Sequence, residues 1–296
     1  MSSSAPSASS TAAPAEVHAH IARLFVYPVK SCAGVEVREA LLTDTGLDLD
    51  RAWMVVDEAG EFVTQRELPR MALVRPQIRL SDVVLRAPGM LPLHLQIDTV
   101  EEPVRVRVWD DEVPAYDMGA VAAQWFSDFL GRRLRLVRFD PEHRRLSDRR
   151  WTGDVEATNQ FSDGFPLLLA SEASLDLLNE RLAAGGLEPV GIERFRPNLV
   201  LAGVEPHVED RLEWLRIAGD DPVELLPVKP CTRCTIPDVD PATGEAGTAV
   251  GDTLQAYRRN ERLNGAVCFG MNAIVRAGEG QWLRVGQAVE GGWRFD

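Results

Sequence analysis

The sequence predicts a mainly β protein with a few packed helices, of the α+β class. Three observations predict it. Many short apolar runs are separated by Gly and Pro, helical periodicity is confined to a few stretches, and 296 residues at 45% apolar and 26% charged suit a soluble chain with a substantial core. Met1 to Glu16 is Ser, Ala and Pro with one charged side chain at its end, too poor in large apolar residues to fold. A disordered tail over residues 1–18 is expected, with order from about Ala19. The tail has neither the basic start nor the apolar centre of a signal peptide.

Ile21 to Val29 then reads as a strand, Lys30 to Gly34 as a turn, and Val35 to Leu42 as a second strand. Trp53 to Val56 is a strand stopped by Asp57-Glu58-Ala59-Gly60 and resumed at Glu61 to Gln65, which is hairpin chemistry. Further strands are expected at Ala72–Ile78, Val83–Arg86, Leu93–Ile97 and Val104–Val108. Spacing of this kind indicates a barrel or sandwich. Ala122, Trp125, Phe126, Phe129 and Leu130 share one helical face ended by Gly131. A second helix begins after Ser171, with Leu175, Leu178 and Leu182 on one face and Gly185-Gly186 at its end. Asp252 is expected to cap a third, Thr253 to Arg259. Two β-rich modules, 19–135 and 136–296, are expected to meet around Arg132 to Asn159.

The formal charge of −13 argues against a general binder of nucleic acid or anionic membrane, while leaving room for an anionic small molecule in a basic pocket. No apolar run reaches the roughly 18 residues of a membrane span. Four cysteines in so long a chain argue for a reducing compartment, here taken as cytoplasmic, rather than a disulfide framework.

The most informative stretch is Leu226 to Gly244, LPVKPCTRCTIPDVDPATG. Its four prolines predict a stiff irregular loop after a short strand at Val223–Val228. The loop presents Cys231 and Cys234, with Lys229 and Arg233 beside them to favour thiolate. Zinc would require two further Cys or His ligands of similar spacing, and Cys32 and Cys268 stand alone. A dithiol redox pair is expected at a helix start, which these prolines oppose. A single thiolate ligand to a soft metal carried by a cofactor, or two cysteines packed as small hydrophobes, also fits.

Thirty of the 32 basic residues are arginine; the two lysines, Lys30 and Lys229, both sit in Pro-Val-Lys-x-Cys at a strand end. A compact ammonium is a point-charge binder of phosphate, and Lys30 has the Ser31 hydroxyl beside it. Arg51 precedes a strand, Arg66 ends one, and Arg196-Pro197-Asn198 opens another, so each can fork onto phosphate or a pterin carbonyl, or form a structural ion pair. Arg132 to Arg150 holds eight arginines, a local cationic patch or a solvated loop. Dinucleotide, P-loop, zincin and nucleophile-elbow motifs are absent, and the five histidines are scattered.

Tyr27-Pro28-Val29-Lys30-Ser31 with Gly34, Asp50-Arg51-x-Trp53, Thr64-x-Arg66-x-x-Pro69-Arg70, Phe195-Arg196-Pro197-Asn198, and Arg233-Cys234 with Val239-Asp240-Pro241-x-Thr243-Gly244 occur in one order. Together they resemble the MOSC proteins, and among these the mitochondrial amidoxime reducing component and its bacterial relatives, over roughly Ile21 to Glu290. The resemblance implies a MOSC-type β-barrel packed with an N-terminal β-barrel-like module. It also implies a molybdenum cofactor, molybdopterin with Mo, ligated by Cys234. By the same resemblance Lys30, Ser31 and Arg51 would contact the cofactor's phosphate and pterin, and Arg196 and Asn198 its pterin side. Ser162 and Asp163 would line it, with Arg233 beside the ligand. The implied activity is reduction of N-hydroxylated compounds such as amidoximes, hydroxylamines and N-hydroxylated bases. The alternatives are a sulfur-carrier or cofactor-handling MOSC protein using a cysteine persulfide, or a plain thiol redox protein using Cys231 and Cys234. The sequence shows neither an appended iron-sulfur domain nor a membrane anchor, so an external electron-transfer protein with its reductase is expected to supply electrons. No nucleic-acid or membrane partner is expected.

Overall fold

The computed structural model describes residues 15–99 and 102–294. Most of the tail expected at the start lies outside the described residues. The first strand, β1 (Val17–Val26), begins two residues ahead of the Ala19 at which order was expected. In the first half it is followed by β2 (Val35–Val37), β3 (Glu39–Thr43), β4 (Gly46–Leu47), β5 (Trp53–Val56), β6 (Arg75–Ile78), β7 (Asp82–Arg86) and β8 (Leu93–Gln96). Then come β9 (Pro103–Val108), β10 (Asp111–Asp117), α1 (Gly119–Leu130) and β11 (Arg135–Phe139). The second half carries α2 (Arg149–Thr152), β12 (Leu167–Ser171), α3 (Glu172–Ala184), β13 (Leu199–Ala202), β14 (Leu212–Ile217) and β15 (Val223–Thr232). It ends with α4 (Ala249–Gln255), β16 (Arg259–Asn260), β17 (Ala266–Ala277), β18 (Trp282–Arg284) and β19 (Ala288–Trp293).

The fold is mixed α+β: an N-terminal β-barrel-like module and a closed seven-stranded barrel. Barrel strands run in the order β12-β13-β1-β19-β14-β15-β17, and β17 pairs back onto β12 with Leu169 opposite Met271. All these pairs are antiparallel except β12 with β13, which α3 connects as a βαβ crossover. Alternation fills the interior with Leu167, Leu169, Leu199, Leu201, Leu225 and Met271. Phe25, Ala170, Val200 and Phe269 point outward under α3 and α4, against Leu178, Leu182, Val250 and Leu254. With both faces covered, these strands read as continuous apolar runs.

Gly270 explains how the seam closes. It sits inside β17 at φ +76°, and a Cβ there would lie 2.5 Å from the Leu169 carbonyl oxygen. Gly270→Ala is therefore expected to cost about 2 kcal/mol or more, lowering Tm by roughly 4–8 °C. An unchanged melting curve by calorimetry would show that the seam tolerates a methyl group.

In the N-terminal module a four-stranded sheet, β5-β11-β10-β9, and a three-stranded sheet, β6-β7-β8, enclose α1. The apolar face expected of α1 is buried, and Gly131 ends it in the left-handed region at φ 70°. Three expectations are corrected. Val35–Leu42 is broken at Arg38 into β2 and β3. The third helix starts at Ala249 behind Thr248, so Asp252 lies in its first turn instead of capping it. The proline-rich stretch stays in β15 as far as Thr232, because Pro227 and Pro230 fall at register shifts where the partner strand does not need their missing N–H.

Candidate active site

Between the barrel and the module lies a cavity of about 750 Å³. The turn after β1 reaches it because it docks on the start of β5: Lys30 N–H donates to the Trp53 carbonyl at 2.8 Å and Arg51 N–H to that of Tyr27 at 2.7 Å. Lys30, 5% exposed, donates from Nζ to the Phe161 carbonyl at 2.8 Å and to Asp163 Oδ1 at 2.5 Å. Burial lowers the Lys30 pKa, against the pull of Asp163. Burial also acts to raise the Asp163 carboxyl, but Lys30 and the Trp109 indole N–H hold it well below the usual carboxylate range.

Arg51 ties three elements together. It pairs with buried Asp50 and donates to Asn198 Oδ1 at 3.2 Å and to the Arg196 carbonyl at 3.1 Å. Its guanidinium lies 4.5 Å from the centre of the Tyr27 ring, and that of Arg196 lies 4.3 Å from it. Gly34 keeps that ring in place, since a Cβ there would lie 2.4 Å from a Tyr27 ring carbon. Burial, then the charge of Arg51, push the Arg196 guanidinium down to about 10. Asn198 is 1% exposed; its amide oxygen also accepts from Leu168 N–H at 3.1 Å and its nitrogen donates to the Phe25 carbonyl at 3.2 Å. It braces β1, β12 and β13 from the cavity wall.

The end of β15 forms the facing wall. Arg233 donates to the Phe195 carbonyl at 2.6 Å and to Cys231 Sγ at 2.8 Å, while its buried Nε–H has no acceptor among the described residues. Cys231 is partly buried and Cys234 is exposed; both line the cavity. Ser162 donates its hydroxyl to Asn159 Oδ1 at 3.0 Å. All nine residues singled out from the sequence line this one cavity.

Sequence reasoning missed Arg145 and Trp109. Arg145, 6% exposed, braces the Ser162-Asp163 loop by donating to Asn159 Oδ1, the Gln160 carbonyl and the Ser162 carbonyl at 2.7–2.8 Å. One arginine among eight in a run carries no mark of its own. Trp109 sits at the tip of the β9–β10 hairpin, whose second strand is too acidic to announce itself. In the run Arg132–Arg150, read from the sequence as a cationic patch or a solvated loop, several arginines are ion-paired. Arg132 pairs with Asp57 and Glu67, Arg133 with Glu58, Arg144 and Arg149 with Glu156, and Arg150 with Asp148.

Backbone strain converges on the same place. Seven described non-glycine residues have positive φ, and four of them, Ser31, Arg51, Trp109 and Arg196, line the cavity. Such conformations persist where surrounding structure over-determines them, which is typical of ligand sites. The lining carries eight lysine and arginine side chains against four aspartates. A site of this kind takes an anion, and its exposed thiol can ligate a soft metal. Among the described residues no three His, Cys, Asp or Glu side chains converge as a metal site.

A closed barrel and an N-terminal β module sharing one cationic, thiol-bearing cavity define a MOSC-type protein. Residues 18–133 match the MOSC N-terminal beta barrel domain and residues 156–290 the MOSC domain. The chain is 38% identical over 248 residues to mitochondrial amidoxime-reducing component 1 of Mus musculus, covering 80% of this chain and 71% of that protein. It is 37% identical over 249 residues to the Homo sapiens protein of that name, covering 81% and 72%. It is 30% identical over 305 residues to the molybdenum cofactor sulfurase of Oryza sativa subsp. japonica, covering 91% of this chain and 35% of that protein. The chain belongs to the MOSC-domain family related to the mitochondrial amidoxime-reducing component proteins. Family membership implies a molybdopterin cofactor in general terms. The cytoplasmic location expected from cysteine usage is corrected by these relatives, whose names place them in mitochondria. Cys32, Cys231, Cys234 and Cys268 are all unpaired, and cysteine usage does not say which compartment holds a chain.

Proposed function

We propose that this chain is a molybdenum-cofactor-dependent oxidoreductase that removes oxygen from N-hydroxylated compounds, with the cofactor held in the 750 Å³ cavity. The observation that carries this reading is a strongly cationic cavity in a chain of net charge −13, with an exposed thiol and an unpaired buried arginine N–H on one wall. Both features fit an anionic, phosphate-bearing pterin: cations meet its phosphate, and the Arg233 Nε–H gains an acceptor. Lys30, Ser31 and Arg51 would contact the cofactor's phosphate and pterin, and Arg196 and Asn198 its pterin side. Ser162 and Asp163 would line it, with Arg145 keeping their loop in position. Cys234 would supply the protein's thiolate, with Arg233, whose guanidinium donates to Cys231 Sγ, adding positive charge on the same wall.

When bound, the cofactor supplies two-electron, oxygen-accepting chemistry that no side chain here provides. The net change adds two electrons and two protons to an N–OH group, giving N–H and water. The chain has no dinucleotide fingerprint, and Cys32, Cys231, Cys234 and Cys268 do not have the spacing of a plant-type iron-sulfur cluster. Electrons therefore come from an external electron-transfer protein and its reductase.

The test begins with protein from a host that makes the cofactor: stoichiometric molybdenum and pterin are expected. Benzamidoxime reduction is expected with a reduced artificial dye and not with NADH or NADPH alone. Turnover on the nicotinamide alone would refute the need for an external carrier. Protein lacking metal and pterin but carrying cyanide-labile sulfur would favour the persulfide alternative.

A further inference from the structure

The β9–β10 hairpin turns through two residues, Trp109 and Asp110, since Val108 pairs with Asp111. Trp109 takes φ 56°, a positive value at the first central position of a two-residue turn, where glycine is favoured. A bulky aromatic there is strained and gains nothing for the turn itself. Its side chain is nevertheless fixed in one pose. The indole N–H donates to Asp163 Oδ1 at 3.1 Å, the Phe62 ring meets it edge-on with centroids 5.1 Å apart, and the Arg66 guanidinium covers it at 4.7 Å. Trp109 still keeps 44% of its surface exposed, and it lines the cavity.

Resting on the reductase reading above, we propose that Trp109 is a specificity-determining residue: its open face is the platform on which a flat, uncharged, conjugated N-hydroxylated substrate stacks. An aryl amidoxime or an N-hydroxylated base fits this platform. Stacking needs a rigid ring with accessible surface: the Asp163, Phe62 and Arg66 contacts hold the indole in place, and 44% of the residue stays exposed. The N-terminal module thus contributes the substrate-selecting surface, while the barrel wall carries the thiol.

Trp109→Gly and Trp109→Phe holoenzymes test this. Loss of a stacking platform is expected to lower the ratio of kcat/KM for benzamidoxime to that for hydroxylamine, which has no ring, about tenfold in Trp109→Gly. The change should fall mainly in KM. Trp109→Phe should recover most of that ratio. Relief of the positive φ offsets only part of the lost contacts to Asp163, Phe62 and Arg66, so the Tm of Trp109→Gly should fall by a few degrees, while its pterin content should match that of the parent. Calorimetric binding of benzamidoxime, which does not depend on turnover, should weaken in Trp109→Gly by a similar factor. An unchanged ratio with unchanged binding would overturn the proposal, as would loss of pterin in Trp109→Gly, which would move the indole to the cofactor's site. A parent holoenzyme that binds benzamidoxime through Trp109 yet reduces neither compound would sink the reductase reading and leave the platform standing.

Discussion

Cys234→Ala is expected to abolish turnover and to strip or alter the metal, whereas Cys231→Ser should keep measurable activity. The two thiols are three residues apart and occupy different settings. Cys231 is partly buried at the end of β15, where its sulfur accepts from Arg233 at 2.8 Å. Cys234 lies beyond the strand, exposed at the cavity. Loss of groups that merely orient a metal ligand typically costs 10–100-fold, so loss of the ligand itself should cost more than about a hundredfold. Metal analysis and benzamidoxime assays on both variants decide the matter. The reverse pattern would move the ligand to Cys231; two active variants with full metal content would end the molybdenum–thiolate reading.

Lys30→Ala and Arg51→Ala should each reduce bound pterin by orders of magnitude at limiting cofactor. Removing one partner of a buried, hydrogen-bonded charge pair typically costs about 2–5 kcal/mol, or roughly 30- to 4000-fold in affinity. The two variants should differ in stability. Lys30→Ala leaves Asp163 facing an open cavity, where solvent can reach it. Arg51→Ala removes the guanidinium beside Asp50, which is 4% exposed and whose carboxyl burial pushes upward. Arg51→Ala should therefore also lower Tm, and Arg51→Lys should restore part of that loss. Full pterin occupancy in both alanine variants would assign these cations to the scaffold alone.

Much of this arrangement was legible in the sequence because it rests on rare residues. Two lysines among 32 cations, each in Pro-Val-Lys-x-Cys, direct attention to the two walls of the cavity, and both line it. The apolar faces of α1 and α3 were equally readable, since 3.6-residue periodicity and end signals agree there. What escaped was non-local or masked. No local pattern shows that β15 runs through two prolines, because their tolerance depends on where the partner strand shifts register. Strand β10, Asp-Glu-Val-Pro-Ala-Tyr-Asp, is too polar to look like a strand, and with it went the turn that displays Trp109. The bracing role of Arg145 depends on carbonyls 15 and 17 residues away.

The position of β1 sets the order in which the molecule can be assembled. It sits between β13 and β19, with Val17 opposite Gly291, so its two neighbours are synthesised about 180 and 270 residues later. During translation β1 can pair early only with β2, at Leu24–Val26, so the rest of the strand waits for its barrel neighbours and the barrel cannot close until β19 leaves the ribosome. Contacts so distant in sequence make folding slow, and an unpaired edge of this kind invites pairing with another chain. A fragment limited to residues 156–290 would lack β1 and stay open at β13 and β19, so the two family segments are not separable folding units.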